Sequence, residues 1–313
     1  MPSSSVRSFT DPDEYAEAVQ RTRYELTVRE RGQFSAHLVQ VALPHLFLRH
    51  FSEQLQRIAQ IESSGELTSI GFLTHGAIIT SGTPVSSTNI IARTPRNQSH
   101  HLALLGPASY GTMALPSEQM NVLSEAMVGR DLTAPDEFIH VAPPPSVASR
   151  LLRLHAATMA LAEDAPHVLA HPEAAHGLEQ ALIEALMDSL ALDEVQEDRA
   201  AKRRHAAIMR RFHRSVEKHL DEPLYIPELC REIGASVRTL SISCQEHLGM
   251  GPKHYLLLRR MHMVRRALRQ SAPADTTVTE VATRYGFWQL GRLSVEYKAL
   301  FGESPSDTLA RVE

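Results

Sequence analysis

Cysteine is scarce. The 313 residues hold two, Cys230 and Cys244, too few for a disulfide framework, and no Cys-x-x-Cys knuckle occurs, which fits a reducing cytoplasm. Both fall in expected helices of one small domain. Nor does any uninterrupted apolar run approach the eighteen or so residues that a membrane span needs, so no membrane partner is expected. The Ser-rich start, Met1 to Asp11, lacks the charged-then-apolar pattern of a secretory signal. Catalytic signatures are missing too: there is no Gly-x-Ser-x-Gly, no P-loop and no His-Glu-x-x-His. The 17 histidines include His100-His101, His167, His171 and His176. None follows the His-x-His pattern with a later carboxylate and His that a metal-binding barrel wants. No catalytic residue, metal or cofactor is therefore expected, and an enzyme is not. Gly71 and Gly76 read as turn glycines flanking a strand end.

What is present is ordinary in amount and uneven in placement. Apolar residues make up 43% and charged residues 22%, enough for a sizeable core and two domains. The net charge of −4 hides an asymmetry. From Ala200 to Glu313 there are 19 Lys and Arg against 12 Asp and Glu, a balance of +7, which leaves −11 for the rest. A basic last third beside an acidic body suggests that the two parts meet different partners. The plain alternative is uneven scatter of solvated charge.

The first half reads as short strands and turns. Phe34 to Val41, Leu46 to Phe51, Leu67 to Leu73, Asn89 to Ala92 and Tyr110 to Leu115 show partial alternation. Clusters such as Ser63-Ser64-Gly65 and Ser81-Gly82-Thr83-Pro84 separate them. The fold class expected is α+β, with residues 1–145 as an N-terminal β-barrel, cupin-like or jelly-roll, able to enclose a ligand. Pro143-Pro144-Pro145 ends it. Residues 146–199 then supply a helical pair. Ser146 to Leu161 presents Val147, Leu151, Leu154 and Met159, and Pro172 to Leu192 presents Leu178, Leu182, Ile183, Leu186 and Leu190. The pair either packs on the barrel or forms a dimer seam. Glu194 to Arg204 is a charged linker or a helix extension.

Residues 200–313 read as an all-α domain with two helix-turn-helix units, at about 226–248 and 278–301. Ile208, Phe212, Val216 and Leu220 share one helix face, which Asp221-Glu222-Pro223 closes. Pro227 to Ile233 is a short helix, Gly234-Ala235 a turn, Ser236 an N-cap for Val237 to Leu248, and Gly249 a stop. The plan recurs: Thr277-x-x-Glu280 is a capping box for Val278 to Tyr285, Gly286-Phe287 turns the chain, and Gln289 to Leu300 follows, stopped near Gly302. A long helix, about Lys253 to Gln270, joins the units. It turns Leu256, Met263, Val264 and Leu268 inward, with Arg259, Arg260, Arg265, Arg266 and Arg269 around it. A rigid spacer of that length can set two reader helices about one DNA turn, roughly 34 Å, apart.

This segment resembles the AraC/XylS regulators over about Ile208 to Arg311. The matching residues are Val278, Val281, Ala282, Gly286 and Phe287, then Tyr297-Lys298, Phe301-Gly302 and Ser304-Pro305. The first unit adds Ser236, Arg238, Leu240, Gly249 and Pro252. The run Gly286 to Arg292 is similar to the subgroup containing the ethanolamine-utilisation operon regulator. The resemblance implies double-stranded DNA as partner. It also implies a small-molecule effector in the N-terminal domain, contact with RNA polymerase, a homodimer, and a cytoplasmic, nucleoid-associated regulator of transcription, an activator.

By the docking that the resemblance implies, the first reader helix offers Arg238, Ser241 and Ile242 to base edges, with Ser236 and Thr239 toward phosphate. Arg238 can make a bidentate contact to guanine; its bland alternative is a surface salt bridge. The second offers Gln289, Leu290, Gly291, Arg292 and Val295, with Ser294 and Lys298 toward the backbone. Leu293, Tyr297 and Phe301 read as core. Cys244 stands where the resemblance expects Phe and reads as a small buried hydrophobe. Ile242 stands where a polar base reader is common. Two alternatives stay open: a constitutive DNA-binding protein whose N-terminal half only dimerises, and a β-barrel enzyme fused to a DNA-binding domain.

Overall fold

The computed structural model describes residues 2–19, 22–62, 65–96, 98–191, 199–219, 224–287 and 289–311, with backbone alone for 199–203. Leu192, much of the charged stretch from Glu194, Leu220, the helix stop at Asp221 to Pro223 and Trp288 lie outside them. Among the described residues the chain begins with β1 (Ser3–Phe9), α1 (Pro12–Ala18), β2 (Arg23–Val28), β3 (Ala36–Ala42), β4 (Phe47–Glu53) and β5 (Arg57–Glu62). Next come β6 (Leu67–His75), β7 (Ile78–Thr80), β8 (Thr83–Val85), β9 (Ile91–Arg93), β10 (Ser99–Leu104) and β11 (Ala108–Pro116). Helix α2 (Ser117–Val128) and strand β12 (Ile139–Val141) complete the β-rich part.

The strands form two antiparallel sheets. One is ordered β1-β3-β4-β11-β6-β9-β12, the other β2-β5-β10-β7-β8. The first sheet is buried on both faces. Leu38, Phe51 and Tyr110 meet the second sheet in one core cluster. Val39, Leu48, Ile70, Met113 and Leu115 belong to another, which two long helices complete. They are α3 (Pro145–Asp164) and α5 (Pro172–Leu190), linked by the short α4 (Pro166–Leu169). Leu151, Met159, Leu182, Ile183 and Leu186 bury into that cluster. The apolar stripe of α5 is thus used within the chain, which removes the motive for a dimer seam there. Strand β1 pairs with β3 over its whole length, from Ser3 opposite Ala42 to Phe9 opposite Ala36. The Ser-rich opening is therefore an edge strand, which the sequence reading did not place. Gly71 is corrected as well: it lies inside β6, opposite Thr112, and not at a strand end.

The C-terminal part comprises α6 (Arg199–Lys218), α7 (Ile226–Ile233), α8 (Val237–Leu248), α9 (Pro252–Arg269), α10 (Val278–Arg284), α11 (Leu290–Phe301) and α12 (Pro305–Ala310). Ile208, Phe212 and Val216 are buried as their four-residue spacing requires. This part rests directly on the β-rich part. Arg29 donates to the Gly249 carbonyl at 2.8 Å, and Gln60 and Ser99 both donate to Glu217. His101 packs against His213 with ring centroids 3.5 Å apart and the rings tilted by 37°, and the Val28 N–H donates to His262 Nε2 at 3.0 Å.

The basic helix α9 departs from the sequence reading. Its arginines do not simply ring an exposed surface: Arg259 and Arg265 are buried. Arg265 pairs with Asp11, Asp13 and Glu303, Arg266 with Glu25, and Arg269 with Asp11. Part of the charge asymmetry is thus satisfied within the chain. An inward-facing side of α9 that looked apolar by spacing also takes arginines, because acidic partners from α1 and β2 wait there.

The histidines at this interface carry a pH consequence. Burial pushes His213 down to about 3, His262 down to about 3, and His101 well below its ordinary value. The unfolded chain takes up protons near pH 6.5 and these docked rings do not. Their contribution is therefore complete above about pH 6.5 and drains as pH falls toward the folded values, by up to about 1.4 kcal/mol per ring per pH unit. Thermal stability is expected to fall between pH 7 and pH 5. An unchanged midpoint over that range would contradict neutral buried rings.

Candidate nucleic-acid interface

Each unit is built by local signals that the structure realises. In the first, Gly234 takes a left-handed φ of 62°, which lets the chain turn sharply between α7 and α8 at no Cβ cost. Ser236 then caps α8, its Oγ accepting from the Thr239 N–H at 3.1 Å. In the second, Thr277 and Glu280 close a reciprocal capping box on α10. Both candidate reader helices, α8 and α11, run for 12 residues and stop at a left-handed glycine.

Counting from their first residues places the two helices in register. Leu240 and Leu293 are the fourth positions, Cys244 and Tyr297 the eighth, and all four are buried. Cys244 is the small partner of a large aromatic. The Met209 sulfur, 3.9 Å from its thiol, adjoins it. Burial pushes the Cys244 thiol up to about 12, so it is a protonated hydrophobe and not a thiolate. The sixth positions are Ile242 and Val295, and these face solvent, 41% and 69% exposed. An apolar group left exposed at the same place in both helices marks a surface that a partner can cover.

The polar members of the expected site are placed as follows. Ser236, Arg238, Gln289, Arg292, Ser294 and Lys298 are exposed, while Thr239 and Ser241 are half-buried. Arg292 is held by Glu296 at 2.8 Å, one helical turn on. The Ser294 hydroxyl donates to the Leu290 carbonyl of its own helix, and the Ser236 and Thr239 hydroxyls bond each other at 2.7 Å. Ser294 and whichever of Ser236 and Thr239 donates in their shared bond would have to turn to donate to phosphate. Arg238 is different: among the described residues no ion pair or hydrogen bond engages it, so the salt-bridge alternative finds no carboxylate here. The docked parts of α8 lie at its other end, where His247 is buried and the Gly249 carbonyl accepts from Arg29. The capped N-terminal end stays open, the end that a helix-turn-helix inserts into the major groove.

A second candidate site, which sequence reasoning did not locate, lies between the two sheets. The cavity has a volume of about 100 Å³. Phe51, Leu73, Ile78, Leu102 and Phe138 give it apolar walls, and Arg49, Thr112 and His100 are among its polar lining. Arg49 and Phe51 are alternate residues of β4, so both point between the sheets. The signal in sequence was faint: Arg49 between Leu48 and Phe51 of a mixed strand, and a glycine at 71 that leaves room beside it.

Comparison with known proteins bears on the helical part most directly. A family model described as a helix-turn-helix domain matches residues 229–311. The chain is 35% identical over 150 residues to the probable thc operon regulatory protein of Rhodococcus erythropolis, covering 48% of this chain and 45% of that one. It is 34% identical over 94 residues to the XylDLEGF operon transcriptional activator of Pseudomonas putida, covering 30% of this chain and 29% of that one. The matches thus span less than half the length of these relatives. Among solved structures, the AraC-like transcriptional activator CuxR aligns with a TM-score of 0.43 at 14% identity, covering 88% of this chain and 99% of that one. A probable AraC family transcriptional regulator from Rhodopseudomonas palustris is 29% identical, covering 33% of this chain and 94% of that one, with a TM-score of 0.29.

Proposed function

We propose, from a C-terminal domain that belongs to the AraC family of helix-turn-helix proteins, that this chain is a sequence-specific DNA-binding regulator of transcription. In this reading it is an activator that responds to a small molecule held in its N-terminal domain. The observation that carries the reading is the pair of matched reader helices, α8 and α11, each stopped at a left-handed glycine, each buried along one side, and each presenting an exposed side to solvent. The division of labour is residues 1–145 for sensing, 146–199 as a helical support, and 200–313 for DNA. Homodimerisation, contact with RNA polymerase, a cytoplasmic location on the nucleoid, and membership of the ethanolamine-operon subgroup belong to the same reading. They rest on the resemblance of the C-terminal segment.

Within the interface the two units are unequal. Arg238 is the base reader, because an unengaged guanidinium at the open end of α8 can pair with a guanine edge. The second reader helix has Gly291 at the position matching Arg238, and its Arg292 is already shared with Glu296. It docks more than it reads, with Val295 against thymine methyls and Lys298 against phosphate.

Selection of binding sites from random DNA should return an enriched motif; no enrichment would sink the reading. On that motif Arg238→Ala is expected to cost about 1–3 kcal/mol and relax one base pair, whereas Lys298→Ala should weaken all sequences alike and reduce the salt slope by about one. Equal loss from Arg238→Ala on every sequence would remove its reading role.

A further inference from the structure

The two basic helices of the C-terminal part treat their charge differently. On α9 the arginines find carboxylates: Arg265 meets Asp11, Asp13 and Glu303, Arg266 meets Glu25, and Arg269 meets Asp11. On α6 they do not. Arg204, Arg211, Arg214 and Lys218 are exposed. Their spacings of seven, three and four put them on one face of the helix, away from the buried Met209, Phe212 and Val216. Among the described residues no ion pair or hydrogen bond engages Arg204, Arg211 or Arg214, and Lys218 is held only loosely, 3.7 Å from Glu232 at 70% exposure. The one acidic residue of α6, Glu217, is drawn to the second sheet, where it accepts from Gln60 and Ser99. Like charges three and four residues apart weaken a helix until something of opposite sign covers them.

The position of this row says what covers it. Helix α6 packs chiefly on α7, α8 and β10, so it belongs to the first helix-turn-helix unit. It runs antiparallel to α8. Its early His205 bonds Glu246, near the end of α8, at 2.6 Å. Its late Ser215 donates at 2.8 Å to Glu232, just before the Gly234 turn that leads into α8. Arg214 and Lys218 therefore stand toward the capped, open end of α8, where Arg238 sits, with Arg211 one turn further back. DNA carries a negative charge about every 1.7 Å along its axis, so a duplex engaged by that end of α8 brings a line of phosphates to a line of unpaired cations.

We propose that this row is a phosphate clamp: Arg211 and Arg214, with Lys218 beside them, bind the DNA backbone flanking the half-site that α8 reads, beyond the bases that either reader helix touches. The inference deepens the DNA-binding reading given above and rests on it. The clamp adds affinity and fixes register but adds no sequence preference, because phosphates carry no base identity.

The test uses the full chain and fluorescence-anisotropy titration at several salt concentrations. The duplexes are the motif returned by selection, the same motif extended by one helical turn, roughly ten base pairs, on the α8 side or on the α11 side, and a random duplex. On the duplex extended on the α8 side, Arg211→Gln with Arg214→Gln is expected to lower the salt slope by about two. The advantage of the natural protein over this variant should there shrink about tenfold between about 50 and about 200 mM salt. On the duplex that ends at the motif on the α8 side the two proteins should coincide. Relative affinities for single-base changes in the motif should not move. Arg211→Lys with Arg214→Lys keeps the charge and should restore the slope, a rescue that a misfolded protein would not show. An unchanged slope, an equal loss on the duplex trimmed on the α8 side, an altered base preference, or no rescue by lysine would each overturn the clamp. Unchanged DNA binding with lost activation of purified RNA polymerase would overturn it too, and would assign the row to a protein partner. Sequence-specific binding with an unchanged slope would refute the clamp and leave the DNA-binding reading. A slope loss on random DNA in a chain that selects no motif would refute specific recognition and keep the row as a backbone contact.

Discussion

Glu53→Gln is expected to destabilise the N-terminal domain by about 3–5 kcal/mol, the cost of leaving a buried charge without its partner. Glu53 and Arg57 are both closed off from solvent. The guanidinium donates to both Glu53 oxygens, to the Leu102 carbonyl and to the Tyr110 hydroxyl at 2.6 Å. Tyr110 donates in turn to Glu53 and shares a hydrogen bond with Tyr24. Every group in this network thus leans on the one negative charge. The isosteric amide keeps the shape but removes that charge, and its NH2 would face donors. The double variant Glu53→Leu with Arg57→Met removes both charges and should recover much of the loss, because paired burial of charge contributes little net stability over a packed apolar pair. Denaturant unfolding of all three proteins checks this; a Glu53→Gln loss below about 1 kcal/mol would show the network to be decorative.

How much of this was legible in the sequence follows a physical divide. The helix-turn-helix units rest on local codes. Ser236, the Thr277–Glu280 box and the glycines at 234, 249 and 302 act within four residues of themselves, so α8 was read to the residue and α11 to within one. The β-rich half obeys a non-local code. Its first sheet is covered on both faces, so the strands have few positions that must be polar, and the alternation of Phe47 to Glu53 or Ala108 to Pro116 is blurred. The short β7, β8 and β12 have only three residues each, too few to show a period. The site divided in the same way. The start of α8 could be expected from its Ser236 cap, whereas the cavity depends on Arg49, Thr112, Gly71 and Ala92 meeting across four strands. The misread arginines of α9 teach the same point. Helical spacing says which residues share a face, and only the fold says that acidic residues from α1 and β2 occupy the space opposite.

Those acidic residues set the last expectation, that Arg265→Met costs about 3–5 kcal/mol of domain docking and, on the effector-responsive reading proposed above, uncouples the cavity from DNA affinity. Arg265 binds Asp11, Asp13 and Glu303 from a buried position, so its removal takes away the one cation that all three share, leaving Arg269 on Asp11 and Arg311 on Glu303. The carboxylates are not equivalent. Burial pushes the Asp11 carboxyl up, but its hydrogen bond to Arg265 and the charges of Arg265 and Arg269 outweigh this and hold it below the ordinary carboxylate range. At Asp13 burial prevails over the same arginines and the carboxyl is raised. The Asp11 contribution is therefore present above the unfolded value near 3.9 and is lost as pH falls through the folded one, while Asp13 relaxes in the opposite sense. Asp11→Asn should accordingly cost more than Asp13→Asn, although asparagine can keep the cap that Asp11 makes on α1. Asp11, Asp13 and Glu25, which clamp α9, are close in the chain to Val19, Thr22 and Tyr24 of the cavity wall. A ligand there touches the same segment that positions the helix between the two DNA-binding units. Only such a difference in contact between two arrangements can make a ligand shift their populations. On the effector-responsive reading proposed above, a ligand of the cavity should still bind to Arg265→Met, and DNA affinity should stop responding to it. A variant that loses docking yet keeps the full ligand response would show that the signal bypasses α9.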